Sequence, residues 1–155
     1  CGDFSWMKEL VYNLDIKYTG VDIVETLISR LKPLGNERVT FECGDITSYD
    51  FSGFDLILVR DCLFHFSYKD IDLFLNNLSK REYKYLLTTS YLPHDDYENR
   101  DISTGDFRKI DLIASPFGFP SDPKAKIADY VEPEYPRYLL LWEKNQVPIK
   151  LNLIM

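Results

Sequence analysis

The sequence predicts an α/β domain: a mostly parallel sheet with helices on both faces, ending in an antiparallel pair of strands. Three observations carry this. Over the first 90 residues, helical spacing and short β-type runs alternate with short connections, the pattern of parallel strands joined by crossover helices. One run, Phe54 to Val59, is almost wholly apolar, as expected of a strand covered on both faces. Beyond residue 106, two strand candidates have no predicted helix between them, which suits an antiparallel pair.

Taken in order, Met7, Leu10, Val11 and Leu14 lie at i, i+3, i+4, i+7 and define one helical face. Lys17 to Val21 is a short strand candidate. Val24, Leu27, Ile28 and Leu31 repeat the helical spacing until Pro33-Leu34-Gly35 stops it. Arg38 to Cys43 and Phe54 to Val59 are the next strands. Ile71, Phe74, Leu75 and Leu78 mark a helix, and Tyr83 to Thr89 a fourth strand. Residues 91–136 form an irregular stretch that reads as a lid on the acceptor side of one domain, 1–155. Within it Phe107 to Ile113 is a strand candidate, while five prolines (Pro116, Pro120, Pro123, Pro133, Pro136) make 114–136 resist regular structure. Tyr138 to Glu143 is the last strong strand. The tail from Ile149 alternates weakly and reads as an edge strand or a partner contact; assembly with further copies of the chain stays open.

Composition narrows the function classes. The net charge is −7, and the densest basic cluster, Lys80, Arg81 and Lys84, reads as a solvated helix end. A nucleic-acid backbone is therefore disfavoured as partner, because phosphate binding needs clustered cations. Three cysteines, Cys1, Cys43 and Cys62, form no CxxC, so neither a disulfide framework nor a metal site is suggested. A reduced, cytoplasmic setting fits. No apolar run is long enough to span a membrane.

Open α/β sheets bind ligands beyond the carboxyl ends of their strands, so residues just after each strand are the candidates. Cys1-Gly2-Asp3 precedes a helix, where a glycine lets backbone approach a ligand; a plain turn is the other reading. Asp22 ends a strand 20 residues after Gly2. A carboxylate there can accept from both hydroxyls of a ribose, or can cap the next helix with Glu25 completing a capping box. Cys43-Gly44-Asp45-Ile46 follows the next strand: Asp45 can accept from an exocyclic amine and Ile46 can lie against a flat ring, or the segment is a simple turn. Arg60-Asp61-Cys62-Leu63-Phe64-His65 follows the apolar strand. Asp61 and His65 are one helical turn apart if the loop is helical, and a histidine beside a carboxylate can serve as a general base. These sites fall at successive strand ends, and that order weighs more than any single motif.

With CGDF, YTGVD, ECGDI and FDLILVRDCLFHFS in this order, the chain resembles the class I S-adenosylmethionine (SAM)-dependent methyltransferases, over residues 1 to about 143. The stretch GDFRKIDL with PFGFP and YLLLW is similar to a bacterial branch acting on small molecules. The resemblance implies a Rossmann-like three-layer sandwich and transfer of a methyl group from SAM to a small-molecule acceptor. It implies that Cys1 and Gly2 pass the methionine part of the cofactor, that Asp22 holds the ribose and Ile23 touches the adenine, and that Asp45 and Ile46 frame the adenine. Arg60 and Asp61 would line the site near the sulfonium, and His65 would stand at the mouth of the acceptor pocket. His65 or Asp61 would take the acceptor's proton. His94, Asn99, Arg100 and Arg108 would line the acceptor side, or belong to a solvated loop. The family places an acidic residue and a further glycine just before the position of Cys1, on a first, central strand. The sequence holds neither, so the chain is expected to be a fragment of a longer protein.

Two rivals remain. A nicotinamide oxidoreductase shares the glycine loop and the ribose acid, but no Tyr-x-x-x-Lys pair and no G-x-G-x-x-G is visible. A non-catalytic, SAM-binding interaction subunit would keep the cofactor residues alone. A nucleic-acid methyltransferase is disfavoured by charge and by the lack of an Asn-Pro-Pro-Tyr type motif after Val59.

Overall fold

The computed structural model describes residues 1–92 and 97–153. The chain divides into two compact units, Cys1–Tyr49 and Asp50–Met155.

The first unit runs α1 (Ser5–Asn13), β1 (Tyr18–Asp22), α2 (Glu25–Leu31) and β2 (Val39–Cys43), with a 3-10 turn at Lys32–Leu34. β1 and β2 pair in parallel, and Asp22 lies opposite Cys43. The expected helical faces are only half used: Met7, Val11, Ile28 and Leu31 are buried, while Leu10, Leu14 and Val24 are exposed. Phe4 is the hub. It adopts a left-handed φ of 65° just before α1 and packs its ring 5.0 Å from Phe41 and 5.2 Å from Tyr18. Gly20 is required beneath this cluster, since a Cβ there would stand 2.9 Å from the Phe41 ring.

The second unit runs β3 (Phe54–Val59), α3 (Tyr68–Ser79), β4 (Tyr83–Tyr91), β5 (Ala125–Ala128) and β6 (Arg137–Glu143). Its sheet has the order β3-β4-β6-β5. β3 and β4 are parallel; β6 runs antiparallel to both β4 and β5. Ser67 caps α3 by accepting the Asp70 N–H. The predicted face of α3, Ile71, Phe74, Leu75 and Leu78, is fully buried. Lys80 and Arg81 close this helix as expected, with Arg81 paired to Asp50.

Three expectations are corrected. Phe107 to Ile113 is not a strand. Its backbone groups find separate partners: the Arg108 N–H donates to the Phe64 carbonyl, the Ile110 carbonyl accepts from Tyr91, and the Leu112 N–H donates to the Ser90 hydroxyl. No neighbouring ladder is therefore completed. The antiparallel partner of β6 is instead β5, from the proline-rich stretch expected to lack regular structure. β5 fits in the four residues between Pro123-Lys124 and Asp129, where no proline interrupts. The tail forms no strand over its described residues; the Leu151 N–H donates to Asp72 and the Asn152 N–H to the Pro116 carbonyl. No helix among the described residues is long and apolar enough to cross a membrane.

Candidate functional site

The carboxyl ends of β1 and β2 gather four of the predicted residues. Asp22 is their centre. Its Oδ2 accepts from the Cys1 nitrogen and the Gly2 N–H, both at 3.1 Å, and its Oδ1 accepts the Val24 N–H at 3.1 Å. Partial burial pushes its carboxyl up. The hydrogen bonds from the Val24 N–H, the Cys1 nitrogen and the Gly2 N–H together outweigh that and hold it below the ordinary aspartate value. Asp22 does not cap α2: the N-cap is Val24, with no side-chain cap, so the capping-box alternative fails. The residue has a locally determined shape and unfilled acceptor capacity. Beside it, Ile23 is 66 % exposed, an apolar ledge at a strand end.

From β2, the Gly44 N–H donates to the Asp22 carbonyl at 3.0 Å, locking the two strand ends together. A Cβ on Gly44 would meet the Tyr49 ring at 2.8 Å, so this close approach needs glycine. Asp45 is exposed. Its Oδ1 accepts from the Thr47 N–H and hydroxyl, both at 2.8 Å, which turns the chain and half-buries Ile46. Gly2 has a left-handed φ of 57° and leads into α1.

In the second unit, Arg60 and Asp61 follow β3 and enter a charge cluster. The Nε and Nη2 of Arg60 donate to the two oxygens of Asp129 at 2.8 and 2.9 Å. Asp129 raises the pKa of Arg60, its hydrogen bonds contributing most. Arg137 lies 3.5 Å from Asp61 and 3.8 Å from Asp129. Asp61 has a left-handed φ of 52°, held because its N–H donates to the Thr89 hydroxyl at 2.9 Å. Asp129, Arg137 and Thr89 were not among the predicted residues. Arg137 reaches this end only because β6 is antiparallel to β4, opposite Tyr91, and the proline-rich stretch gave no pattern that pointed to Asp129. Asp129→Asn should destabilise the chain by about 1–3 kcal/mol, since it removes the shared anion of two arginines that are only partly solvated. A urea midpoint unchanged from wild type would contradict this.

His65 closes a 3-10 turn, Leu63–His65. Its Nδ1 lies 2.7 Å from the Asp106 carbonyl. A carbonyl can only accept, so Nδ1 carries the proton and, in the neutral ring, Nε2 holds the lone pair. The ring packs against Phe64 and Phe107. The expected pairing of His65 with Asp61 does not form: Asp61 sits outside the turn and is engaged by Thr89 and Arg137.

Among the acceptor-side candidates, His94 lies outside the described residues. Asn99 is a staple: its amide donates to the Asp111 and Ser115 carbonyls and its oxygen accepts the Asp111 N–H. Arg100 and Arg108 line a cleft of about 370 Å³ with Tyr97, Glu98, Phe107 and Lys109. Arg108 is buried, and desolvation lowers its pKa.

A family model described as "Methyltransferase domain" matches residues 1–81. No curated protein matches in sequence. The structure is similar to a SAM-dependent methyltransferase from Methanosarcina mazei, at 14 % identity and a TM-score of 0.64, covering 92 % of this chain and 88 % of that one. It is similar to magnesium protoporphyrin IX methyltransferase from Synechocystis PCC 6803 with bound SAH, at 14 % identity and a TM-score of 0.63, covering 92 % and 70 %. It is also similar to the [4+2]-cyclase SpnF, at 17 % identity and a TM-score of 0.55, covering 72 % of this chain and 44 % of that one. The chain thus spans less than half the length of SpnF and 46 % of the mitomycin 7-O-methyltransferase it also matches. These likenesses establish a Rossmann-like fold.

Proposed function

This chain belongs to the methyltransferase domain family, and on that premise we propose that it takes part in SAM-dependent methyl transfer to a small-molecule acceptor. The observation that carries the proposal is Asp22: a carboxylate fixed by backbone N–H groups at a strand end, beside the exposed Ile23. That pairing suits a nucleoside, whose ribose offers two donors and whose base offers an apolar face. When bound, SAM supplies a methyl group activated on a cationic sulfur.

In this reading Asp22 accepts from the ribose hydroxyls, and Ile23 and Ile46 flank the adenine. Asp45 accepts from its amine. Cys1 and Gly2 pass the methionine portion. Arg60 and Asp61 line the donor end, kept rigid by Asp129, Arg137 and Thr89. His65 removes the acceptor proton through Nε2, with the ring held by the Asp106 carbonyl. Residues 91–136 supply the acceptor side. The composition supports a cytoplasmic setting.

Binding is the direct test. At about 100 times its Kd, S-adenosylhomocysteine (SAH) stabilises a protein by about 2.7 kcal/mol, which here raises the melting midpoint by roughly 5–10 °C. NADH should not do so. No shift with SAH would overturn the reading. One similar structure is a [4+2]-cyclase, so the fold alone does not fix the reaction. An SAH shift without methyl transfer across a metabolite panel would favour the non-transferring reading.

A further inference from the structure

Arg108 is 1 % exposed. Its Nη1 donates to the Phe66 carbonyl at 2.6 Å, while its Nε and Nη2 are buried without a hydrogen-bond partner among the described residues. Two orphan donors on a buried cation are costly, because each has lost its water without gaining a partner, and more so when the group is charged. Asp101, whose charge acts on Arg108, forms no ion pair with it; its Oδ1 accepts the Tyr68 and Ile102 N–H groups. The Arg108 guanidinium packs over the Tyr68 ring at 5.3 Å, and the Tyr68 hydroxyl is a further buried group without a partner.

The geometry of the orphan edge is specific. Nε and Nη2 form one side of the guanidinium fork, the side that meets both oxygens of a carboxylate at once. Arg60 uses that edge on Asp129 in the same unit, at 2.8 and 2.9 Å. Arg108 offers the same edge and lines the cleft with Arg100 and Lys109, against one lining acid, Glu98. A volume of about 370 Å³ suits a small molecule. Phe107 belongs to both places: it lines the cleft and its ring lies 5.9 Å from that of His65. Arg100, Glu98 and Phe107 are exposed, and side chains of that kind reorient within nanoseconds to admit a ligand group to the edge beneath them.

We propose that Arg108 anchors a carboxylate of the small molecule held in this cleft, so that the substrate is a carboxylic acid bound through its anion and presented near His65. This rests on the methyl-transfer reading for what happens next, but not for the anion site itself. A carboxylate gripped by two charged N–H donors is a poor nucleophile, so the anchored group is a handle, and a second group on the same molecule receives the methyl.

Benzoate and its neutral counterpart benzamide are suitable probes on the full chain. Benzoate should shift the Arg108 Nε–H resonance in a ¹H–¹⁵N spectrum, and benzamide should not. Arg108→Met should weaken benzoate by about 10- to 100-fold, the value of a charge-assisted pair. It should leave the SAH melting shift in place, and its own midpoint should be no lower than wild type, because it removes an unsatisfied buried charge. Equal binding of benzamide, benzoate binding unaffected by Arg108→Met, or phenyl phosphate outcompeting benzoate tenfold would each overturn the assignment. If Arg108→Met does not fold, the charge is structural and the assignment falls, unless the wild-type Nε resonance, which needs no variant, responds to benzoate. Loss of the SAH response in wild type would overturn the methyl-transfer reading and leave the anion site standing.

Discussion

Replacing His65 with alanine lowers kcat by about 100- to 10,000-fold at saturating donor and acceptor, the usual contribution of a positioned general base. The expectation rests on one hydrogen bond. With Nδ1 tied to the Asp106 carbonyl at 2.7 Å, the neutral ring has its lone pair on Nε2, turned away from that anchor. Phe64 and Phe107 hold the ring plane. The KM for the acceptor should change little, because the imidazole is asked to move a proton and not to bind. Added imidazole should restore part of the lost turnover in His65→Ala. Full turnover in His65→Ala would remove the residue from the chemistry and leave it as packing for the 105–108 segment, whose Gly105 N–H donates to its carbonyl.

The second large effect falls on Asp22. Asp22→Ala should weaken SAH by about 100-fold or more, since two hydrogen bonds to a charged acceptor are each worth about 1.5–3 kcal/mol. The same carboxylate also collects the Gly2 and Val24 N–H groups, so the variant should lose some stability as well. Asp22→Asn separates the two: it keeps the shape and one acceptor, and its SAH affinity should fall between wild type and alanine. The pH dependence has a defined sign. The folded carboxyl sits below its ordinary value. Its contribution to stability is therefore complete above the unfolded value of about 3.9 and is lost as pH falls through the lower folded value. SAH affinity that declines already near neutrality would point to a different ligand for the ribose. Wild-type affinity in Asp22→Ala would remove Asp22 from the site.

The sequence was most legible where one physical constraint acted alone. Phe54 to Val59 is bounded as expected because a run of six that is apolar but for Asp55 is strongly strand-forming, although it is not covered on both faces, since Leu56 is 48 % exposed. The α3 stripe was legible because all four predicted positions are buried. Strand ends were legible too, since parallel order places Asp22 and Asp45 at one end of their sheet whatever the details of packing. Legibility failed where contacts are long in sequence. Asp129 meets Arg60 across 69 residues, and no periodicity encodes such a pairing. Phe107 to Ile113 reads as a strand candidate, yet Ile110 and Leu112 are buried by irregular backbone tied to three different partners, and Phe107 is left exposed. The Asp61–His65 pairing failed for a local reason: the left-handed turn at Asp61 breaks the helical spacing on which it depended.

The irregular stretch after β4 is held in a particular way. Asn99 ties it to residues 111 and 115, the Ser90 hydroxyl receives the Leu112 N–H, and the Trp142 indole donates to the Pro120 carbonyl. Each of these three fixings sets a side chain on backbone groups, apart from the β5–β6 ladder that follows. A segment fastened like this can be reshaped one fastening at a time, while the paired strands beside it keep their register. Over evolutionary time the molecule can therefore acquire a new preference on this side by single substitutions, without passing through an unfolded intermediate.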